Sequence, residues 1–252
     1  MTDYLLVHGA GQGAWSWGHV WGRLTAPEEH PPTLHKRRRA NRVHTLDLPG
    51  HGADAGGDTS AVRLEECVQA ITRTVEREQL EDVVLVGHGF AGSLVVQAAT
   101  EMEVPPKRVV LVAGIVPSPK RPLLSACPAK TRAGFKFFSI LSSLFRQELK
   151  LPSPAINGFL CNGMDSMEVV QLVGFLGPLP TRVLKSRLPM ETSKLPCPVT
   201  YVMLTQDKMF SPDAQAKVAE QFEGAETVQI ESCHQVMAQH PLELAEVLLR
   251  YA

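Results

Sequence analysis

Six short runs rich in Val and Leu, at residues 4–7, 42–46, 83–86, 109–112, 199–204 and 227–230, recur along the chain with helically spaced segments between them. Runs this short and this uniformly apolar suit strands covered on both faces. Their alternation with helices predicts a parallel sheet joined by right-handed crossovers, an α/β architecture. The helical segments are residues 62–75, where Val62, Cys67, Ala70, Ile71, Thr74 and Val75 share a face, and then 94–99, 214–222 and 242–251. A chain of 252 residues with 44% hydrophobic and 20% charged composition has enough material to bury a sizeable core, which excludes a disordered polypeptide.

Charge and cysteine usage narrow the class further. The 25 Lys+Arg against 26 Asp+Glu leave a formal charge of −1, so no whole-chain field draws nucleic acid or acidic lipid, and neither nucleic acid nor membrane is expected as a partner. The uncharged stretch 83–100 is interrupted by glycines and His88 and changes period partway, which reads as strand, turn and buried helix instead of a membrane span. Met1-Thr2-Asp3-Tyr4 lacks the basic and apolar regions of a secretory signal, leaving a cytoplasmic location as the expectation. Cys67, Cys127, Cys161, Cys197 and Cys233 are odd in number, widely spaced and without C-x-x-C, so they are expected as reduced core thiols, not a disulfide framework or a zinc site. Met164, Met167, Met190 and Met203 are expected to fill core space.

Two segments break the rhythm. Residues 27–39 are proline-rich and then basic, ending in Lys36-Arg37-Arg38-Arg39, and read as an exposed, solvated loop. Residues 116–196 contain many prolines and no strand pattern, yet hold Phe135, Phe137, Phe138, Ile140, Leu141, Leu144, Phe145, Phe159, Phe175 and Leu176. A stretch that long with its own apolar residues predicts a helical insertion over the sheet, its aromatic residues divided between packing and lining a pocket.

Two of the strands run into glycine turns. Gly87, Gly89 and Gly92 fit G-x-G-x-x-G, and Gly9, Gly11 and Ala14 fit its G-x-G-x-x-A variant, the pattern that brings backbone up to a pyrophosphate at a helix N-terminus. That reading requires an acidic residue about 20 positions on to hold the ribose. Neither copy has one, because the strand after Gly92 ends in Val112-Ala113-Gly114 and the strand after Gly13 reaches Asp47 only beyond an insertion. A dinucleotide-binding protein is therefore the weakest of three readings.

The same turns fall within five landmarks spread over nearly the whole chain. They are His8-Gly9-Ala10-Gly11-Gln12-Gly13-Ala14-Trp15-Ser16-Trp17; Asp47-Leu48-Pro49-Gly50-His51-Gly52; the turn from Gly87 to Gly92; Asp207 in Leu204-Thr205-Gln206-Asp207-Lys208; and His234 in Ser232-Cys233-His234-Gln235, with Pro241 opening the last helix. In this order the chain resembles the α/β-hydrolase superfamily, most closely the group of plant methyl-ester esterases, hydroxynitrile lyases and bacterial relatives. The resemblance implies an α/β-hydrolase fold, a mostly parallel sheet flanked by helices, in a single domain over residues 1–252 with a helical cap insertion at about 117–190. It also implies a nucleophile, acid and base in that chain order, and no cofactor or metal.

By the resemblance, the nucleophile belongs at the third position of G-x-S-x-G, and there the chain has Gly89. Glycine offers no oxygen, sulfur or carboxylate, so no acyl-enzyme can form at that position. It does relieve a strained turn that costs a residue with a Cβ on the order of 1–3 kcal/mol. Ser93 lies one helical turn further on and is expected to face helix packing; Ala91, at the fifth motif position, is a milder departure. What the resemblance leaves is His234 as a base oriented by Asp207, with the backbone N–H groups of Ala10 and Phe90 as an oxyanion hole. His88 and His8 read as structural. Two readings then outrank the dinucleotide binder. One is an esterase- or lyase-like protein whose chemistry on a small apolar carbonyl compound runs on His234 and Asp207. The other is a non-catalytic family member that binds such a ligand. Ordinary serine-esterase turnover is not expected, because losing the nucleophile leaves only about 10³–10⁴ over water.

Overall fold

The computed structural model describes residues 2–26, 41–55, 58–145, 147–189, 191 and 195–252. The proline-rich and basic stretch read at 27–39, with Lys36 to Arg39, lies outside them, as does Met190. β1 (Asp3–Val7), β2 (Arg42–Leu46), β3 (Val83–His88), β4 (Arg108–Val112), β5 (Val199–Leu204) and β6 (Glu226–Ile230) form one six-stranded sheet in the order β2-β1-β3-β4-β5-β6. Every neighbouring pair is parallel. Register sets Val7 opposite Gly87 and Gly87 opposite Leu111, so the glycine turns after β1 and β3 emerge side by side at one edge of the sheet.

The two faces are built by the period-2 alternation of the central strands. Leu5, Val7 and Leu85 point to the face packed by Cys67, Val68 and Ile71 of α2 (Leu64–Arg77) and by Leu94 and Val95 of α3 (Ala91–Glu101). Tyr4, Leu6, Val84 and Val86 point to the other face, with Val20 and Leu24 on α1 (Gly18–Thr25). β1 and β3 are buried throughout, whereas the edge strands β2 and β6 are half-exposed. α2 starts at Leu64, two residues later than the apolar spacing predicts, because the Arg63 N–H donates to Glu66 Oε2 (2.8 Å) and closes the first turn.

Between β4 and β5 the chain forms α4 (Ala129–Leu144), α5 (Ser153–Ala155), a π-helical turn over Ile156–Leu160, α6 (Ser166–Phe175) and α7 (Thr181–Lys185). The pairing within this stretch is a single isolated antiparallel bridge, Pro122 to Arg187, among the described residues. Ile156, Leu160, Cys161, Val169 and Leu172 give it a small core of its own, against which Trp15, Met209 and Ala238 pack. Hydrogen bonds from Gly177 N–H to Gly11 O (2.7 Å), Thr131 Oγ1 to Met209 O (2.9 Å) and Asn162 Nδ2 to Gln206 O (2.8 Å) tie it to the loops after β1 and β5. It therefore lies over the edge where the glycine turns emerge. α8 (Pro212–Ala219), α9 (Val236–Gln239) and α10 (Pro241–Leu249) complete the chain, α10 joining α1 on its face through Leu244 and Leu248.

Several expectations are corrected. Met167 is 67% exposed and fills no core, since it lies on the outer side of α6, whereas Met164 and Met203 are packed as expected. Cys67, Cys127, Cys161 and Cys233 are buried free thiols, but Cys197 is only half-buried, just ahead of β5. The apolar set of the insertion divides between packing and pocket only in part: Phe135, Phe138 and Phe159 line a cavity and Leu176 packs on the small core, whereas Phe137, Ile140, Leu144 and Phe145 are largely exposed. Among the described residues no helix is long and apolar enough to cross a membrane, and no group of three or more His, Cys, Asp or Glu is placed to hold a metal.

Candidate active site

β3 ends in a turn whose tip is Gly89, held at φ +54. The Gly89 N–H donates to Val112 O (3.0 Å) and Gly89 O accepts from Ile115 N–H (2.7 Å), so the turn is fixed from both sides by the end of β4. A Cβ built on Gly89 would stand 3.2 Å from His234 Nε2.

His234 is carried by the loop after β6, and Asp207 by the loop after β5. Asp207 is buried at 2% exposure; its Oδ1 accepts the N–H groups of Met209 and Phe210 (2.8 Å each) and its Oδ2 meets His234 Nδ1 at 2.6 Å. A carboxylate only accepts, so Nδ1 carries the proton of the neutral ring and the Nε2 lone pair faces Gly89. Gln215 on α8 anchors the Asp207 loop: its amide donates to Phe210 O (2.7 Å) and its Oε1 accepts from Leu204 N–H (2.9 Å). The ring of His88 packs against that of His234 with centroids 4.6 Å apart, and its Nε2 donates to His234 O (2.9 Å).

Ala10 and Phe90 stand at the starts of the loops after β1 and β3. Among the described residues neither of their backbone N–H groups donates a hydrogen bond, and both residues line a cavity of about 500 Å³ that also reaches His88 and His234. Phe135, Phe138, Phe159, Leu149 and Leu160 supply its apolar walls. Gln12 latches the two sides together: its Oε1 accepts from Gly9 N–H (2.8 Å) and its Nε2 donates to Gln235 Oε1 (2.7 Å).

The structure thus brings Ala10, Gly89, Phe90, Asp207 and His234 to one place. Ser93 is not there; its Oγ donates to Ile115 O (2.6 Å) in a fully buried position on α3, away from the cavity. His8 donates from Nδ1 to Gly9 O (2.8 Å) and accepts at Nε2 from Leu48 N–H (3.1 Å), joining the loops after β1 and β2. Burial, with His51 nearby, lowers the His8 pKa to about 3, and burial holds His88 well below its ordinary value. Both rings are neutral connectors. Gln12, Gln215 and Gln235 brace the loops that carry these residues, and sequence reasoning missed them, since a glutamine inside a glycine turn or a helical run carries no periodic signal. Two glycines of the dinucleotide pattern have a packing reason of their own: a Cβ at Gly92 would lie 2.7 Å from Gly114 Cα, and one at Gly11 would lie 3.0 Å from Gly177 O.

Fold and site together define a protein of hydrolase architecture. The model of the alpha/beta hydrolase family matches residues 4–247, and the chain belongs to that family. Its relatives are esterase-like. It is 24% identical over 267 residues to Methylesterase 9 of Arabidopsis thaliana, covering 100% of this chain and 98% of that one. It is 27% identical over 128 residues to a carbendazim hydrolyzing esterase of Nocardioides sp. (strain SG-4G); that match covers 51% of this chain and 48% of the esterase, so about half the length of each. Among solved structures, an extracellular alpha/beta-hydrolase from a Paenibacillus species superimposes with TM-score 0.81 at 20% identity, over 100% of this chain and 99% of that chain. The methylesterase MES16 from Arabidopsis gives 0.75 at 19% identity, over 99% and 98%.

Proposed function

We propose that the protein carries out general-base chemistry on a small apolar carbonyl compound without an acyl-enzyme, using His234 as the base and Asp207 to orient it. In this reading His234 Nε2 removes a proton made acidic by the carbonyl, and the N–H groups of Ala10 and Phe90 hold the resulting oxyanion. Asp207 stabilises the imidazolium until the proton is returned. The helical stretch between β4 and β5 acts as a cap that keeps the site dry. The observation that carries the reading is the 2.6 Å contact between His234 Nδ1 and Asp207 Oδ2, which leaves Nε2 facing a turn that has no competing side chain.

Deuterium exchange tests it. Apolar ketones incubated with the protein in heavy water should gain deuterium beside the carbonyl, and His234→Ala should abolish that gain. Exchange that survives His234→Ala overturns the proposal. A second reading, ligand binding without turnover, is favoured by Gly89 itself, because an esterase-like scaffold without its nucleophile retains its cavity. Saturable ketone binding with no exchange in the unmodified protein would select it.

A further inference from the structure

α4 has two apolar faces. The inner one, with Phe135 and Phe138, lines the cavity. The outer one, Phe137, Ile140, Leu141 and Leu144, recurs at i, i+3, i+4 and i+7 and continues into Phe145; Phe137 is 62%, Ile140 61% and Leu144 74% exposed. A helix packed on one face ordinarily turns polar residues outward, so this second stripe requires a partner.

Charge identifies the partner. From 104 to 147 the sequence contains no Asp or Glu, while Lys120, Arg121, Lys130, Arg132 and Lys136 fall within it. Arg132, Lys136 and Lys185 border a shallow groove beside Ile140 and Phe135, and among the described residues none of these cations is ion-paired to a carboxylate. Arg132 donates to Cys127 O (2.8 Å) and Lys185 to Ser139 Oγ (3.0 Å), contacts that leave their charge unneutralised, and an apolar stripe flanked by cations with no carboxylate partner is the chemistry of a helix lying in an anionic lipid interface. A second copy of the chain would bring the same cations face to face across a two-fold contact. We propose that the outer face of α4 docks the protein peripherally on a membrane surface carrying anionic headgroups, with the cavity directly behind the docking helix. The formal charge of −1 hides this, because an average over 252 residues conceals a segment that is entirely cationic in its charged residues.

Flotation with vesicles of phosphatidylcholine, with and without about one-third phosphatidylserine, tests the proposal. The protein should float with the anionic vesicles only, and high salt should release it. Lys136→Gln should weaken binding about fivefold, as expected for one surface cation. The triple change Phe137→Ser, Ile140→Ser, Leu144→Ser should abolish binding, with a thermal melt confirming that this variant is folded. Because none of the three substituted side chains lines the cavity, ketone exchange in solution should persist. The proposal is overturned if the protein ignores anionic vesicles, binds both kinds equally, or binds them undiminished after the triple change. It is equally overturned if the protein sediments as a dimer that the triple change dissolves, since the face then belongs to a second copy.

Discussion

At Gly89 a single hydrogen atom decides both backbone strain and chemistry. The turn holds φ at +54, where an L side chain costs roughly 1–2 kcal/mol. A Cβ there would also sit 3.2 Å from His234 Nε2, close enough for the ring to shift by a few tenths of an ångström and still within reach of a hydroxyl. Gly89→Ala is therefore expected to lower the unfolding free energy by about 1–2 kcal/mol in a denaturant titration and to gain no activity. Gly89→Ser should carry a similar cost yet gain short aryl-ester hydrolysis, about 10³-fold or more above the parent. If the two variants are equally inert, the arrangement of His234 and Asp207 is not competent to activate a nucleophile. Ser93 gives the opposite test. Ser93→Ala removes the donor to Ile115 O in a fully buried place, at about 1–3 kcal/mol, and should leave exchange chemistry unchanged. Loss of exchange in a folded Ser93→Ala protein would contradict its placement as a packing residue.

The turn works only because α3 can approach the end of β4. A Cβ on Gly92 would meet Gly114 Cα at 2.7 Å and Gly114 C at 3.0 Å, both backbone atoms with no rotamer to yield. Gly92→Ala is expected to push α3 outward and to lower the unfolding free energy by about 1–3 kcal/mol, a typical overpacking cost, in spite of alanine's better helix propensity. A stabilised Gly92→Ala protein would show that the contact is slack. The strands were legible in the sequence because residues such as Leu5 and Leu6 must both be apolar when a strand is covered on two sides. Asp207 and His234 were legible only through their landmarks, since their contact joins loops after different strands and no spacing encodes it. Residues 135–145 were assigned to packing and pocket for a physical reason: apolar residues on two faces of one helix carry no sign in the sequence of which face is covered, and only the three-dimensional packing shows that the face of Phe137, Ile140 and Leu144 is left exposed among the described residues.

Across the whole molecule, residues 10, 89, 90, 207 and 234 meet because a parallel sheet delivers all its outgoing loops to one edge. Those loops are cross-linked by buried neutral histidines, which makes the assembly sensitive to acid. His8 uses Nδ1–H as donor and Nε2 as acceptor, so a second proton would face the Leu48 N–H. Its folded pKa of about 3 lies below the unfolded value near 6.5; His51, buried against Phe90, and His88 are lowered as well, chiefly by burial. Below pH 6.5 the unfolded chain therefore binds more protons than the folded one, and stability falls with pH through a window that closes for His8 only near 3. At pH 5 the loss from His8 alone is about 2 kcal/mol relative to neutral pH. Denaturant midpoints should accordingly drop between pH 8 and pH 5, with the protection factor of the Leu48 amide, its exchange corrected for the intrinsic rate at each pH, falling along with the global change. A midpoint that holds constant over that range would mean that these rings take up protons without unfolding the loops they join.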